Sequence, residues 1–181
     1  MRAIQRYRFD KKTQEMLERM AIPFAIYQFV EKRVVAIAIS AGFCKLFGYT
    51  DPCQAYYDMD HDMYRDVHPD DAGRIAEAAL RFASENGAYE VVYRAKPKAA
   101  GEYHVIHAKG EHSLTEEGIR LAYVWFTDEG PYSEDAEGTR VSRIMTNTLH
   151  EESILRANRF DYLTGLPSMT YFFEGVSQEV G

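Results

Sequence analysis

Two runs rich in β-branched and aromatic residues, Phe24 to Val30 and Val34 to Ile39, are separated only by Glu31-Lys-Arg33. Parallel strands need a crossover of a dozen or more residues, so a three-residue polar link can only join antiparallel neighbours. The chain must therefore contain a β-hairpin. An isolated hairpin is marginal in water and needs further strands or a packed helix. Those strands come late. Residues 89–96 place Tyr89, Val91 and Tyr93 on one face and Glu90, Val92 and Arg94 on the other. Residues 103–113 follow, then 119–127, which are apolar on both faces through Leu121, Val124, Trp125 and Phe126.

The interval between hairpin and late strands reads as helical. Ser40 caps a short helix with Phe43, Leu46 and Phe47, closed by Gly48. Asp51-Pro52 starts another through Gln54, Ala55 and Tyr56, and a loop rich in Asp, Met and Tyr runs on to Val67. His68-Pro-Asp-Asp71 opens the best-defined helix, with acids in its first turn, an apolar face of Ile75, Ala79 and Phe82, and a stop at Asn86-Gly87. Before the hairpin, Asp10 caps a helix over residues 11–20 with the face Met16, Leu17 and Met20. Strands in two groups with helices between them predict an α+β fold, an antiparallel sheet covered by helices on one side.

The 181 residues suffice for one core domain plus appendages, and 46% apolar content supports a sizeable core. A net charge of −7 disfavours partners held by bulk positive charge, so neither nucleic acid nor an anionic membrane is expected. No apolar run approaches the roughly 20 residues of a membrane span. The first twelve residues are polar and basic, unlike a signal peptide. Cys44 and Cys53 have neither metal-ligand spacing nor a disulfide framework. The expected setting is cytoplasmic.

Several phrases in this order resemble a PAS domain. Ser40-Ala-Gly-Phe-Cys-Lys-Leu-Phe-Gly-Tyr49 is similar to that family's Asn-x-x-Phe-x-x-x-x-Gly-Tyr. His68-Pro-Asp-Asp71 followed by Arg74 resembles the His-Pro-Asp-Asp-x-x-x-Arg phrase of one PAS subfamily, and Tyr89-Glu-Val-Val-Tyr-Arg94 its first strand after the long helix. The resemblance covers roughly residues 22–129. It implies a five-stranded antiparallel sheet in the order 2-1-5-4-3 with helices on one face. Asp161-Tyr-Leu-Thr-Gly-Leu-Pro167 resembles the opening of a GGDEF domain, the family that makes cyclic di-GMP. By itself the phrase reads as a helix stop. Ser168-Met169 stand where that family has Asn-Arg, and only about twenty residues follow the border, too few for a nucleotide-binding fold. The expected organisation is an N-terminal helical segment (1–21), a PAS domain (22–130), a linker helix (131–160) and the start of a GGDEF domain (161–181).

The aromatic residues Tyr27, Phe43, Phe47, Tyr57, Tyr64, Tyr93, Tyr123 and Trp125, with His107, come from segments that converge in such a fold. They are read either as core packing or as the wall of a small-ligand pocket, because buried tyrosines need partners for their hydroxyls. His68 is read as a cap, since no second ligand stands at helical spacing for a haem or metal. Cys44 lies on the first helix after the hairpin, away from the later helix on which flavin-binding relatives carry their reactive cysteine. Neither haem nor flavin is expected, and no sensed ligand is identified. His104 and His112 share one strand face and His107 takes the other, so the three form no common site.

After the sheet an acidic stretch precedes an apolar stripe of Val141, Ile144, Met145 and Leu149, resumed by Ile154 and Leu155. This is an imperfect coiled-coil seam. With Met16, Leu17 and Met20 it predicts a homodimer through flanking helices. The functional expectation is a non-catalytic sensory and dimerisation module that regulates a GGDEF output domain. The alternative is a ligand-free interaction domain regulating a degenerate one. A catalytic reading of His68, Asp70 and Asp71 finds no nucleophile, phosphate-cradling loop or metal set beside them.

Overall fold

The computed structural model describes residues 5–85 and 88–133, all within the first of the chain's two units, Met1–Glu137. The linker stripe, the GGDEF-like phrase and the Asn86-Gly87 stop lie outside the described residues. In chain order come α1 (Lys11–Glu18), β1 (Phe24–Val30), β2 (Arg33–Ile39), α2 (Ala41–Phe47), α3 (Pro52–His61), α4 (Pro69–Ser84), β3 (Tyr89–Ala95), β4 (His104–Leu114) and β5 (Arg120–Pro131). The strands form one antiparallel sheet in the order β2-β1-β5-β4-β3, the expected topology.

The hairpin turns on Glu31 and Lys32, both at positive φ (49° and 64°). Two left-handed residues match the twist of the flanking strands, although neither is a residue that adopts this region easily. Ser40, fully buried, fastens the hairpin to α2. Its hydroxyl accepts from the Phe43 and Phe24 N–H groups and donates to the Ile22 carbonyl. Gly48, at φ 76°, closes α2. Gly42 sits so tightly on the Ala21 and Ile22 backbone that a Cβ would collide with the Ala21 carbonyl.

Three element bounds depart from the sequence reading. α1 ends at Glu18, and of its apolar face only Leu17 packs, against the sheet; Met16 is 54% exposed and Met20 38%. α3 continues to His61 where a loop was expected. Its second half is held by tertiary bonds: Asp58, buried, accepts from Gln54 (2.7 Å), Tyr49 (3.0 Å) and Arg65 (3.0 Å) and pairs with Lys98 (3.2 Å). β5 runs four residues past Thr127. There its register with β4 shifts by one, Ile106 facing Asp128 and Val105 facing Gly130, which leaves Glu129 as an extra residue.

α4 guards the sheet's β3 edge. The Asp71 carboxylate accepts from the Arg94 backbone N–H and takes its guanidinium in two bonds of 2.9 and 3.0 Å, while Arg74 donates to the Val92 carbonyl. An edge strand otherwise offers its free polar groups to other chains.

Candidate functional site

Alternation along the strands sorts side chains between two faces. One face, here called inner, meets α2, α3 and α4 and carries Ala25, Tyr27, Ile39, Val91, Tyr93, Ile106, Ala108 and Val124. The other, outer, face carries Ile26, Ile37, Ala38 and Leu121, covered by Tyr7, Phe9 and Leu17 from the N-terminal segment.

Over the inner face lies a cavity of about 480 Å³. Its floor includes Ala122 and Val124 of β5, and its walls are Phe43 and Phe47 of α2, Met59 of α3, Met63 and Tyr64 of the following loop, Phe82 of α4 and Phe126 of β5. Helix α2 reaches the site because Phe43 packs edge-on against Phe126 (centroids 5.3 Å) and tilted on Phe47 (4.6 Å). The lining is mostly hydrocarbon with a few phenols, the composition of a small-molecule site.

Of the nine residues read from sequence as pocket candidates, Tyr27, Phe43, Phe47, Tyr64 and Tyr93 line this cavity. The other four stand elsewhere. Tyr57 is 59% exposed on α3 and stacks on His61. Tyr123 packs in the outer cluster beneath the N-terminal segment. Trp125, 37% exposed, is also on the outer face, because Ala122 and Val124 take the inward positions of β5. His107 points outward as well, its Nε2 bonded to Glu90 at 2.8 Å and its Nδ1 3.5 Å from Glu129. Cavity residues that the sequence reading missed include Met59, Met63, Phe82, His112 and Phe126. Phe126 shares the parity of Val124, and Phe82 was placed on the apolar face of α4, so pattern alone reached both. The two methionines lay in the stretch read as loop.

The polar groups around the cavity differ in commitment. Tyr49 donates to the buried Asp58. Burial pushes the Asp58 carboxyl up, but hydrogen bonds from Gln54, Tyr49 and Lys98 outweigh it and hold the group below the usual carboxylate range. Gln28, the sole amide side chain on the lining, turns outward: its Oε1 accepts from the Tyr7 N–H and its Nε2 donates to the Gln5 carbonyl. The Tyr27 hydroxyl meets only the Met59 sulfur, at 3.9 Å. Burial raises the pKa of Tyr27, Tyr64 and Tyr93 above the ordinary phenol value, so all three are neutral at physiological pH.

The other candidates have structural partners. His68 caps α4, its Nδ1 accepting from the Asp70 N–H at 3.2 Å, and its ring lies 4.9 Å from Tyr103. Asp71 is engaged by Arg94, and Glu90 pairs with His107 and Lys109. Cys44 is buried in the inner cluster but is not among the cavity's lining residues, and burial pushes its thiol pKa up. Among the described residues, no group of three His, Cys, Asp or Glu side chains is placed to hold a metal, and no helix is long and apolar enough to cross a membrane.

A family profile described as the PAS fold matches residues 36–142, more than half of the chain. No curated protein matches. Among solved structures, a light-oxygen-voltage domain studied with a flavin analogue is 16% identical, covers 78% of this chain and 97% of its own, and superimposes with a TM-score of 0.50. A sensory box histidine kinase/response regulator from Burkholderia thailandensis is 20% identical over 74% of this chain and 91% of its own, at a TM-score of 0.40. A PAS domain from Colwellia psychrerythraea is 11% identical over 66% and 96%, at 0.48. At such identities the likeness concerns the fold alone.

Proposed function

The chain belongs to the PAS fold family, and from that membership we propose that it is a sensory module whose inner cavity admits a small molecule. The observation that carries this reading is the cavity itself: about 480 Å³, walled by side chains of three helices over an antiparallel sheet. A merely structural core is packed to crystal-like density and leaves no such volume.

The response leaves through β5 into the C-terminal segment, where Asp161-Tyr-Leu-Thr-Gly-Leu-Pro167 marks the border of a GGDEF output domain. In this reading the chain binds and transmits, and it catalyses nothing itself. It pairs as a homodimer through its flanking segments, to which the exposed Met16 and Met20 contribute. The wall is mainly phenols, thioethers and arenes; its amide is turned away and its imidazole, His112, is held by the Phe82 carbonyl at 2.6 Å, so this reading assigns it neither haem nor flavin.

Native mass spectrometry of the full chain, with an absorption spectrum, tests the sensory reading. The expected result is a co-purifying or exchangeable organic molecule and no visible colour. A flavin or haem band that survives desalting would overturn the cofactor assignment. Cyclic di-GMP synthesis by a longer protein carrying the border phrase tests the output assignment, and Met16→Glu tests the dimer by sedimentation. A change in GTP turnover with seven residues inserted between Glu152 and Ser153 should be smaller than with two or four, since about 100° per residue returns a helix almost to phase at seven.

A further inference from the structure

Tyr93 is only 6% exposed, its ring lines the cavity, and no described residue hydrogen-bonds its hydroxyl. Tyr64, partly buried, is in the same position. Neither hydroxyl is sealed away from solvent. Among the described residues the side-chain polar atom that is both inaccessible and without a partner is His112 Nδ1, and no phenol oxygen shares that condition. Tyr93, a buried ring with an unpartnered yet reachable hydroxyl, opens that hydroxyl onto the space its ring lines, and the half-buried Tyr64 lines the same space. Tyr27 adds a third phenol, with only a thioether sulfur at 3.9 Å as acceptor. Tyr27 and Tyr64 are near enough to Tyr93 to raise its pKa, and Tyr64 likewise raises that of Tyr27.

Such a wall is specific in sign. A neutral phenol surrounded by hydrocarbon is a donor in search of an acceptor. The Asp58 carboxylate nearby takes Tyr49, Gln54, Arg65 and Lys98, the Gln28 carbonyl takes the Tyr7 N–H, and His112 Nδ1, left an acceptor by the bond from Nε2 to the Phe82 carbonyl, is inaccessible. Charge on a ligand finds little help. The cationic side chain on the lining is Arg120, an exposed residue that donates to the Glu85 carbonyl, and Asp66 adds a negative charge at the margin. Burying an unpaired carboxylate is far more costly than burying a hydrogen-bonded carbonyl.

Resting on the reading of the cavity as a ligand site, we propose that its ligand is an uncharged, largely aromatic molecule carrying a carbonyl-type acceptor oxygen, held by the hydroxyls of Tyr64 and Tyr93, with Tyr27 beside them. Shape and apolar area come from Phe43, Phe47, Phe126 and the two methionines. Orientation comes from the phenols.

Three probes of one shape test this on the full chain by titration calorimetry. They are 2-acetylnaphthalene, 2-isopropenylnaphthalene, in which a methylene replaces the carbonyl oxygen, and 2-naphthoate. The ketone is expected to bind about ten-fold more tightly than the alkene and the carboxylate, the equivalent of about 1.4 kcal/mol. Tyr93→Phe should weaken the ketone several-fold and leave the alkene unchanged, and Tyr64→Phe serves as a second, independent variant. Equal binding of ketone and alkene, tightest binding of the carboxylate, or a ketone affinity indifferent to both substitutions overturns the assignment while the cavity still binds. Failure of every probe to bind at millimolar concentration overturns the cavity reading along with it.

Discussion

On the outer face of the sheet, Ile26, Ala38 and Leu121 are fully buried beneath Tyr7, Phe9 and Leu17, which come from the N-terminal segment ahead of β1. On the inner face, equally apolar residues meet three helices and a loop, and a cavity remains between them. The difference lies in the covering layer. On the outer face Tyr7 and Phe9 come from irregular backbone ahead of α1, which can follow the sheet surface closely, and the short α1 adds only Leu17. Helices are rigid cylinders about 10 Å across, and their stand-off from the sheet is set by the largest side chains between them. Here those are Phe43, Phe47 and Phe126, tilted or edge-on to one another, and Phe82, which lies over Gly110, and they hold the helices off the small residues Gly110 and Ala122. One face is therefore filled to seal the sheet, and the other is propped open.

The sharpest way to break this contrast is to remove volume from each side. Leu121→Ala, on the sealed face, should lower unfolding stability by about 3 kcal/mol, within the roughly 2–5 kcal/mol seen for buried leucines. Met63→Ala, on the cavity wall, should lose about 1 kcal/mol or less, because its side chain already lacks neighbours on one side. Urea unfolding of both variants checks it, and equal losses would mean that the inner face is as densely filled as the outer.

Next in size is the pair that fastens α4 to the inner side's edge strand. Asp71→Asn leaves the Arg94 guanidinium, itself largely buried, with only the exposed Asp70 carboxylate 3.9 Å away as counter-charge and should lose about 2 kcal/mol. Burial pushes the Asp71 carboxyl up, but its bonds to the Arg94 side chain and backbone and the charges of Arg94 and Arg74 bring it below the ordinary range. The unfolded chain, with a carboxyl near about 3.9, then binds the proton more readily, so stability rises with pH between the folded and unfolded values. The contribution is complete above about pH 4 to 5 and is lost as pH falls through the lower folded pKa. Acid unfolding should therefore be steeper below pH 4 in the wild type than in Asp71→Asn; superimposable profiles would remove Asp71 from the account.

Two phenols on the inner side separate support from openness. Tyr49→Phe strands one acceptor site of the buried Asp58 and should lose about 1–2 kcal/mol. Tyr27→Phe removes a hydroxyl whose only partner is the Met59 sulfur and should stay within about 0.5 kcal/mol of the wild type. A large loss at Tyr27 in thermal melts would place a strong acceptor against that hydroxyl. The smallest effect is expected outside both layers. Met16→Glu, on the exposed side of α1, should change monomer stability by no more than about 0.5 kcal/mol, whereas Leu17→Glu, which reaches the outer cluster, should lose well over that. Indistinguishable melts for the two would mean that α1 does not seal the outer face.

The hairpin and the capped starts of α2 and α4 were legible because each rests on local chemistry, whereas the strand order was implied only by the resemblance to the PAS family. A three-residue link forces antiparallel neighbours, Ser40 and His68 offer acceptors where a helix begins, and the period-2 pattern of Tyr89, Val91 and Tyr93 assigned one face of β3. β5 gave no such pattern, since Leu121, Tyr123 and Trp125 are as apolar as Ala122, Val124 and Phe126. Which set turns inward was decided by pairing, Tyr27 opposite Ala122 and Ala25 opposite Val124, and that put Tyr123 and Trp125 on the far side from the cavity. The length of α3 was likewise not local. Asp58 is a poor helix former until Tyr49, Gln54, Arg65 and Lys98 converge on it. The cavity belongs to tertiary structure alone. Sequence supplies which side chains face inward, but the space left between them depends on how far the large ones hold the helices from the sheet, and no single residue's pattern encodes a distance between layers.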